Sequence, residues 1–532
     1  MPVLSNIMRY INPMEKSQLT YIKNILLPCV YYSGITGIIT AVLIFLFKLS
    51  ASRVGQLSSE IYAYVRERPS FLPVIIVGAA LLGLIMTLII RCSPGCKGGG
   101  IPTSILLLRG LISFTWFKSI FLLFPSALLT YLCGIPLGTE GPAVQMGTAV
   151  GKGTVRIFAR KHPTWERFIM TGGASAGFAA ATGAPLTAIF FTFEEAHRRF
   201  SPTLFITSAV SAVTSTAFMQ LLCPLAEISP SLFHFSVETT AMPLIYTFTA
   251  VLTGLLCGFI GAAFTKIYDL VHRFIDNRLR KLPVPAKIVA VFVSTAIIGY
   301  FSQGFLGTGE GIIESIFEGH AAWKLLVIYF CVRAIITITA NNVGITGGLF
   351  VPMLCFGAII GELCSRLMIT VGILPVEYRS ITVIIGICAF LAATSRTPIM
   401  ATVFSIEAFG CTENLIPVMA GITVAYITIE LLGIHDFTDI VMEGKLRRLH
   451  KDKTDKVIDR SFTVAEDAFA VGKQVRDILW PPECTVLSVK KKPSTHHHSH
   501  TGISAGDILE LHYHTYDDPE TVKNIEAILG KQ

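Results

Sequence analysis

A single carboxylate stands where carboxylates are most costly. Glu140 lies in Gly138-Thr139-Glu140-Gly141-Pro142, after an apolar run over residues 120–134 and at the start of a helical pattern. A carboxylate at membrane depth marks an ion or proton pathway by default. The flanking glycines let backbone N–H groups approach a ligand closely. Residues 144–157 read as a helix whose first turn offers unpaired N–H groups and a positive dipole end. Such a terminus holds anions, and an acidic side chain tethered there competes for the same place. Glu140 therefore reads as a built-in competitor for a permeating anion, released when it takes up a proton.

Two further loops have the same build. Gly98-Gly99-Gly100-Ile101-Pro102 and Gly348-Leu349-Phe350-Val351-Pro352 each put Gly or Pro at the start of a helical segment. The amides of Gly100, Ile101, Glu140, Gly141, Leu349 and Phe350 are candidates to converge on a dehydrated anion. Neutral amide dipoles favour an anion without trapping it as a fixed Lys or Arg would. Glycines that merely allow close helix packing explain one such loop better than three with Glu140 among them. A second acidic site is Glu194-Glu195, which ends the helical run after Ala184-Pro185-Leu186. A charged pair there suits a water-facing helix end, yet adjacent carboxylates also favour keeping a proton. Proton pathway candidates are thus Glu140, Glu194 and Glu195.

These residues need a membrane body to position them. The 532 residues are 52% hydrophobic and only 15% charged, against about 25% charged in soluble domains. Apolar stretches recur at 28–49, 73–90, 119–134, 204–222, 243–264, 287–301, 325–340, 352–369, 381–393 and 415–432. Several fall short of the roughly 20 residues a spanning helix needs, so helices broken by Gly and Pro around a polar cavity are expected. Continuous apolar runs argue against a β-barrel. The first run lacks a small-residue cleavage site and reads as a retained helix. The net charge of +8 collects partly at Lys445, Arg447, Arg448, Lys451 and Lys453, which places that side in the cytoplasm by the positive-inside rule. No basic-aromatic patch supports nucleic-acid binding. The twelve cysteines are scattered, several within apolar runs, as small hydrophobes are. Cys92 and Cys96 lack further ligands for a metal.

The chain divides into a lead (1–27), a membrane body (28–450), a charged linker (451–459) and a small α/β domain (460–532). Within the body, two halves order long helices, Gly-rich breaks and short helices alike, which hints at an inverted repeat. In the tail, 471–475 opens a short helix, 485–490 and 508–514 read as strands around a Gly506-Asp507 turn, and 519–529 as a helix. That order resembles the TrkA-C regulatory domain of potassium-uptake transporters. The resemblance implies a cytoplasmic domain that dimerises and in some members binds a small nucleotide-type ligand. His496-His497-His498-Ser499-His500 reads as an exposed polar loop, although clustered histidines also bind metals.

The glycine loops, with Ala184-Pro185-Leu186 leading to Glu194-Glu195, resemble in order the motifs of the CLC chloride channel and transporter family. The resemblance covers nearly the whole body. It implies an α-helical polytopic membrane protein, a CLC-type inverted repeat of broken helices with about 18 helices per subunit. It also implies a homodimer with a separate pore in each subunit. Glu140 then matches the family's gate, Glu195 its internal proton acceptor, and Arg333 a basic position, for which pairing with a carboxylate or helix end is expected. Three residues depart from the pattern. Gly99 and Phe437 stand where the family places anion-coordinating Ser and Tyr, and Thr139 replaces the Arg before the gate. Losing two hydroxyls leaves coordination to backbone amides and predicts weak discrimination between chloride and nitrate, with fluoride a further candidate.

No Ser-His-Asp set, nucleotide loop or metal-ligand spacing marks an enzyme, and no cofactor is expected beyond a small ligand on the tail. The expected function is proton-coupled antiport of a monovalent anion in a bacterial plasma membrane, with cytoplasmic termini. A passive anion channel of the same fold is the alternative. A cation transporter is suggested only by the tail.

Overall fold

The computed structural model describes residues 26–449, 456–491, 502–515 and 518–530, apart from residues 99, 160–162, 234, 236, 238, 321 and 467. Gly99 and the cluster at 496–500 lie outside them. The body is two runs of eight helices. The first comprises α1 (Leu27–Glu67), α2 (Leu72–Cys92), α3 (Ile101–Arg109), α4 (Trp116–Leu132), α5 (Glu140–Phe158), α6 (Glu166–Thr182), α7 (Pro185–Phe191) and α8 (Pro202–Leu222). The second repeats the pattern of long and short: α9 (Thr247–Asn277), α10 (Val284–Phe301), α11 (Glu310–Phe317), α12 (Trp323–Val343), α13 (Phe350–Thr370), α14 (Arg379–Ser395), α15 (Pro398–Phe409) and α16 (Leu415–Leu431). A last helix, α17 (Phe437–Leu449), closes the body. Among the described residues, eight helices are long and apolar enough to cross a membrane.

The repeat is written into the packing. Helices α5 and α6 cross where Gly147 meets Gly173, and α13 and α14 cross where Gly357 meets Gly386. A Cβ at any of the four would strike the partner's backbone. Small residues let helices approach where lipid gives no hydrophobic drive. The short α3, α7 and α15 begin with proline in the first turn, where its missing N–H leaves nothing unpaired. Buried charges are held by partners. Glu362 takes Arg366 at 2.6 Å and Arg379 at 3.0 Å. Arg333 meets a helix end, as expected: its guanidinium donates at 2.8–3.1 Å to the carbonyls of Gly304, Leu306 and Gly307, at the C-terminal end of the 3₁₀ turn Gln303–Phe305.

The C-terminal domain is a sheet of β1 (Lys456–Thr463), β2 (Cys484–Lys490) and β3 (Ile508–Thr515), antiparallel in the order β1-β3-β2, with α18 (Asp518–Leu529). Leu509, Leu511 and Tyr513 of β3 alternate into a core with Phe462, Ile478 and Ile525. Two expectations are corrected. β1 begins inside the stretch read as linker, and the short helix expected to open at Val471 starts only at Val475, as the 3₁₀ turn Val475–Asp477, because Gly472 takes φ +80°, which no right-handed helix accommodates. The domain also docks on the body. Leu479 belongs to the body's core, and the Phe469 ring lies 5.5 Å from Trp165 and 6.2 Å from Phe168. Arg167 donates to the Leu479 and Trp480 carbonyls at 2.9 Å, and Arg199 to Ile478 at 2.9 Å.

Lys473 sits in this interface, its ammonium 3.0 Å from the Phe469 ring centroid and donating to the Phe469 carbonyl at 2.6 Å. Burial pulls its pKa from 10.5 down to about 7, with Cys29 and Asp477 opposing. The unfolded tail therefore binds more protons than the folded one between those values, so stability rises with pH across that window. Resistance of the tail to limited proteolysis in detergent should increase from about pH 7 to about pH 9.5, and Lys473→Met should flatten that rise. An undiminished rise in the Met variant would assign it to other groups.

Candidate functional site

Three loops meet at the centre of the body. Gly138 and Gly348 exchange N–H···O=C bonds at 2.7 and 2.8 Å, an isolated antiparallel bridge. Each glycine leads, within two residues, into the first turn of α5 or α13. Gly141 is then pressed between the other two loops: a Cβ there would lie 2.7 Å from Gly348 Cα and 3.0 Å from Gly100 Cα. Gly100 takes φ +152° and ψ −157°, a region open essentially to glycine alone. Its N–H, expected to face the anion, instead donates to Gln145 Oε1 at 3.0 Å, and Gln145 Nε2 donates to Gly95 at 2.8 Å. Gln145 braces the loop from α5. The N–H groups of Ile101, Leu349 and Phe350 have no acceptor among the described residues, as helix first turns leave them.

Glu140 is fully buried. Its Oε1 accepts from Thr139 Oγ1 at 2.8 Å; its Oε2 lies against Gly138 and has no hydrogen-bond partner among the described residues. A cavity of about 310 Å³ lies on one side, lined by Thr139, Tyr131, Lys48 and Glu310. A constriction of about 20 Å³ lies on the other, lined by Gly100, Ile101, Gly348, Leu349, Phe350, Phe437 and Glu195. Glu140 sits at the partition. Thr139 before it faces the larger space, while Gly141 after it packs on two glycines that line the smaller.

The constriction thus gathers Gly100, Ile101, Leu349, Phe350, Phe437 and Glu195 from α3, α13, α17 and the turn after α7. Phe437 opens α17 and is buried. Glu195, also buried, accepts from Thr438 Oγ1 at 3.0 Å. Arg109 fixes the backbone around it, donating to the carbonyls of Ala196 at 2.9 Å and Glu195 at 3.2 Å. Glu194 goes elsewhere. Its carboxylate accepts the N–H groups of Ile399 and Met400 at 3.0 and 2.7 Å, capping α15. Glu407 returns the arrangement at the start of α7, accepting from Leu186 and Thr187, each at 2.7 Å. Sequence reasoning missed Gln145, Thr438, Arg109 and Glu407. For Glu407 a signal existed: Pro398 and Glu407 repeat the spacing of Pro185 and Glu194.

A sequence model of the family described as voltage gated chloride channel matches residues 78–430. The chain belongs to the CLC family. Among CLC proteins similar to it, the H(+)/Cl(-) exchange transporter ClcA of Vibrio campbellii is 29% identical over 398 residues, covering 72% of this chain and 81% of the relative. ClcA of Vibrio cholerae is 28% identical over 393 residues, with 72% and 81% covered. Two solved CLC structures share the fold. A slow cyanobacterial Cl−/H+ antiporter has a TM-score of 0.73 at 24% identity over 79% of this chain and 98% of that one. A CLC-type fluoride/proton antiporter has 0.64 at 18% identity, with 78% and 98% covered. The protein is accordingly a multi-pass integral membrane CLC protein.

Reciprocal capping generates a prediction. Glu407→Ala and Glu194→Ala should each lower stability by about 1–2 kcal/mol, the worth of a lost cap, read as thermal denaturation in detergent. Glu195→Ala, which removes no cap, should cost less. Equal losses at all three would show that burial, and not capping, governs them.

Proposed function

We propose that this CLC protein exchanges a monovalent anion, chloride foremost, for protons across the membrane. The observation that carries the reading is Glu140, fully buried at the partition between two cavities and attached to a helix first turn. With its carboxylate charged, it occupies the anion's path. Protonated, it withdraws, so one group alternates between blocking an anion and carrying a proton. Glu195 is the inner proton acceptor, set where the narrow cavity meets the face that carries the tail. Its bond from Thr438 and the grip of Arg109 on its backbone support a fixed position. Anions pass the first-turn amides of α3 and α13, which attract without trapping. The names of the ClcA relatives and of the antiporter neighbours support exchange over a passive conductance.

The working unit is proposed to be a homodimer in a bacterial plasma membrane, with the basic end of α17 and the tail in the cytoplasm. The tail is proposed to regulate transport, with a small ligand as its effector. Chemical crosslinking in native membranes tests the dimer.

Proteoliposomes under opposed anion and pH gradients test the function. Wild type should move protons uphill when driven by chloride; anion flux with no proton movement would establish a passive channel instead. Glu140→Gln, a mimic of the protonated gate, should abolish proton movement while anion flux persists. Proton-coupled exchange equal to wild type in that variant would remove Glu140 from the gate. Glu195→Gln should leave anion flux measurable and remove chloride-driven proton pumping, whereas unchanged pumping would point to another acceptor.

A further inference from the structure

The narrow cavity lacks both hydroxyls the family resemblance leads one to expect, yet it has a polar donor in another place. Three polar side chains line it: Glu195, Ser395 and Asn341. Ser395 is already committed, bonded to the Leu391 carbonyl and Thr397 Oγ1, each at 2.7 Å. Glu195 is an acceptor when charged and repels an anion. Asn341, near the C-terminal end of α12, is different. Its Oδ1 accepts from Tyr268 Oη at 2.6 Å, and its Nδ2 has no acceptor among the described residues. Tyr268, on α9, is 1% exposed. A buried phenol needs an acceptor for its proton, which fixes the amide with oxygen toward Tyr268 and both N–H groups free.

The position fits the deficit. The Asn341 main-chain carbonyl packs beside Gly98, at the head of the loop that contains Gly99. The Tyr268 ring stands 6.3 Å from the ring of Phe437, and its hydroxyl is spent on Asn341. We propose that the Asn341 amide is an anion-contacting donor in the narrow cavity, that Tyr268 is its positioning residue, and that together they set the preference among small anions. An amide donor does what a hydroxyl would: it is neutral, it partly replaces lost hydration, and it releases the ion. Because a smaller anion gives up more hydration energy, removing the donor should weaken chloride more than nitrate.

This inference rests on the anion-exchange reading, and the experiment separates the two. The full-length protein is reconstituted, and initial rates of chloride and nitrate uptake are measured against concentration. Asn341→Leu should raise the chloride KM about tenfold and the nitrate KM less, with proton coupling retained. Tyr268→Phe should shift the chloride-to-nitrate ratio the same way by a smaller factor. Adding Phe437→Tyr to Asn341→Leu should restore chloride preference, which a purely structural role for Asn341 does not predict. Should Asn341→Leu fail to fold, Tyr268→Phe and Asn341→Ser carry the test, the Ser variant retaining part of the preference. Folded variants with wild-type KM values and an unchanged ratio would overturn the proposal while leaving exchange intact. A wild type that transports no anion would overturn both.

Discussion

The pair of hydrogen bonds between Gly138 and Gly348 is the contact on which the interior depends. Irregular backbone at membrane depth is tolerated only where its polar groups find partners inside the protein. Here two loops from opposite halves satisfy each other, at 2.7 and 2.8 Å. The bridge consumes the groups that would otherwise need water. It also sets α5 and α13 back to back, each beginning within two residues of it. The approach is possible only because no side chain intervenes; a methyl on Gly141 would collide with Gly348. The place of Glu140 between the two cavities and the unpartnered amides of α13 both follow from this one join.

A second layer of the same symmetry lies outward from it. Glu194 and Glu407 cap each other's helices, so each short helix supplies the carboxylate for the other's first turn. Negative charges near a helix start are favourable, and in an apolar setting a paired carboxylate is the form that persists. This assigns the two adjacent acids of the Glu194-Glu195 pair to different surroundings. One is bound to main chain across the repeat. The other sits in the narrow cavity beside Thr438.

Glu140 was legible from sequence because a carboxylate inside an apolar chain has few bland explanations. The three loops were legible because Gly and Pro report backbone geometry directly. Gln145, Asn341 and Thr438 were not: each is an ordinary polar residue in a helix, and its meaning comes from which loop or ring the fold lays beside it. Gly100 shows the converse: its place in a glycine loop points its N–H at the anion, yet Gln145, five residues into the neighbouring helix α5, takes that N–H. β1 is hard to read from sequence because Lys456–Thr463 is mostly exposed, carries Lys456, Asp459 and Arg460, and has Phe462 as its one buried side chain. A half-solvated edge strand of that kind reads as linker. The tail has a core cluster of its own around Leu509, Leu511 and Tyr513, while Leu479 and Phe469 pack with the body's core.

The docking of the tail has a consequence for how this chain can diverge. Arg167 and Arg199 grip carbonyl oxygens at Ile478, Leu479 and Trp480, and every residue type carries a carbonyl. These hydrogen bonds therefore read the path of the chain and not its spelling, which enters through the charge of Asp477 beside Arg199 and of Lys473 over Trp165. Drift in that loop is filtered mainly by the apolar contacts of Leu479 and Phe469. A tail of different sequence, provided its loop follows the same course and keeps those two plugs, would be accepted by the same two arginines. The membrane body is in that sense a socket, open to exchange of the domain it carries.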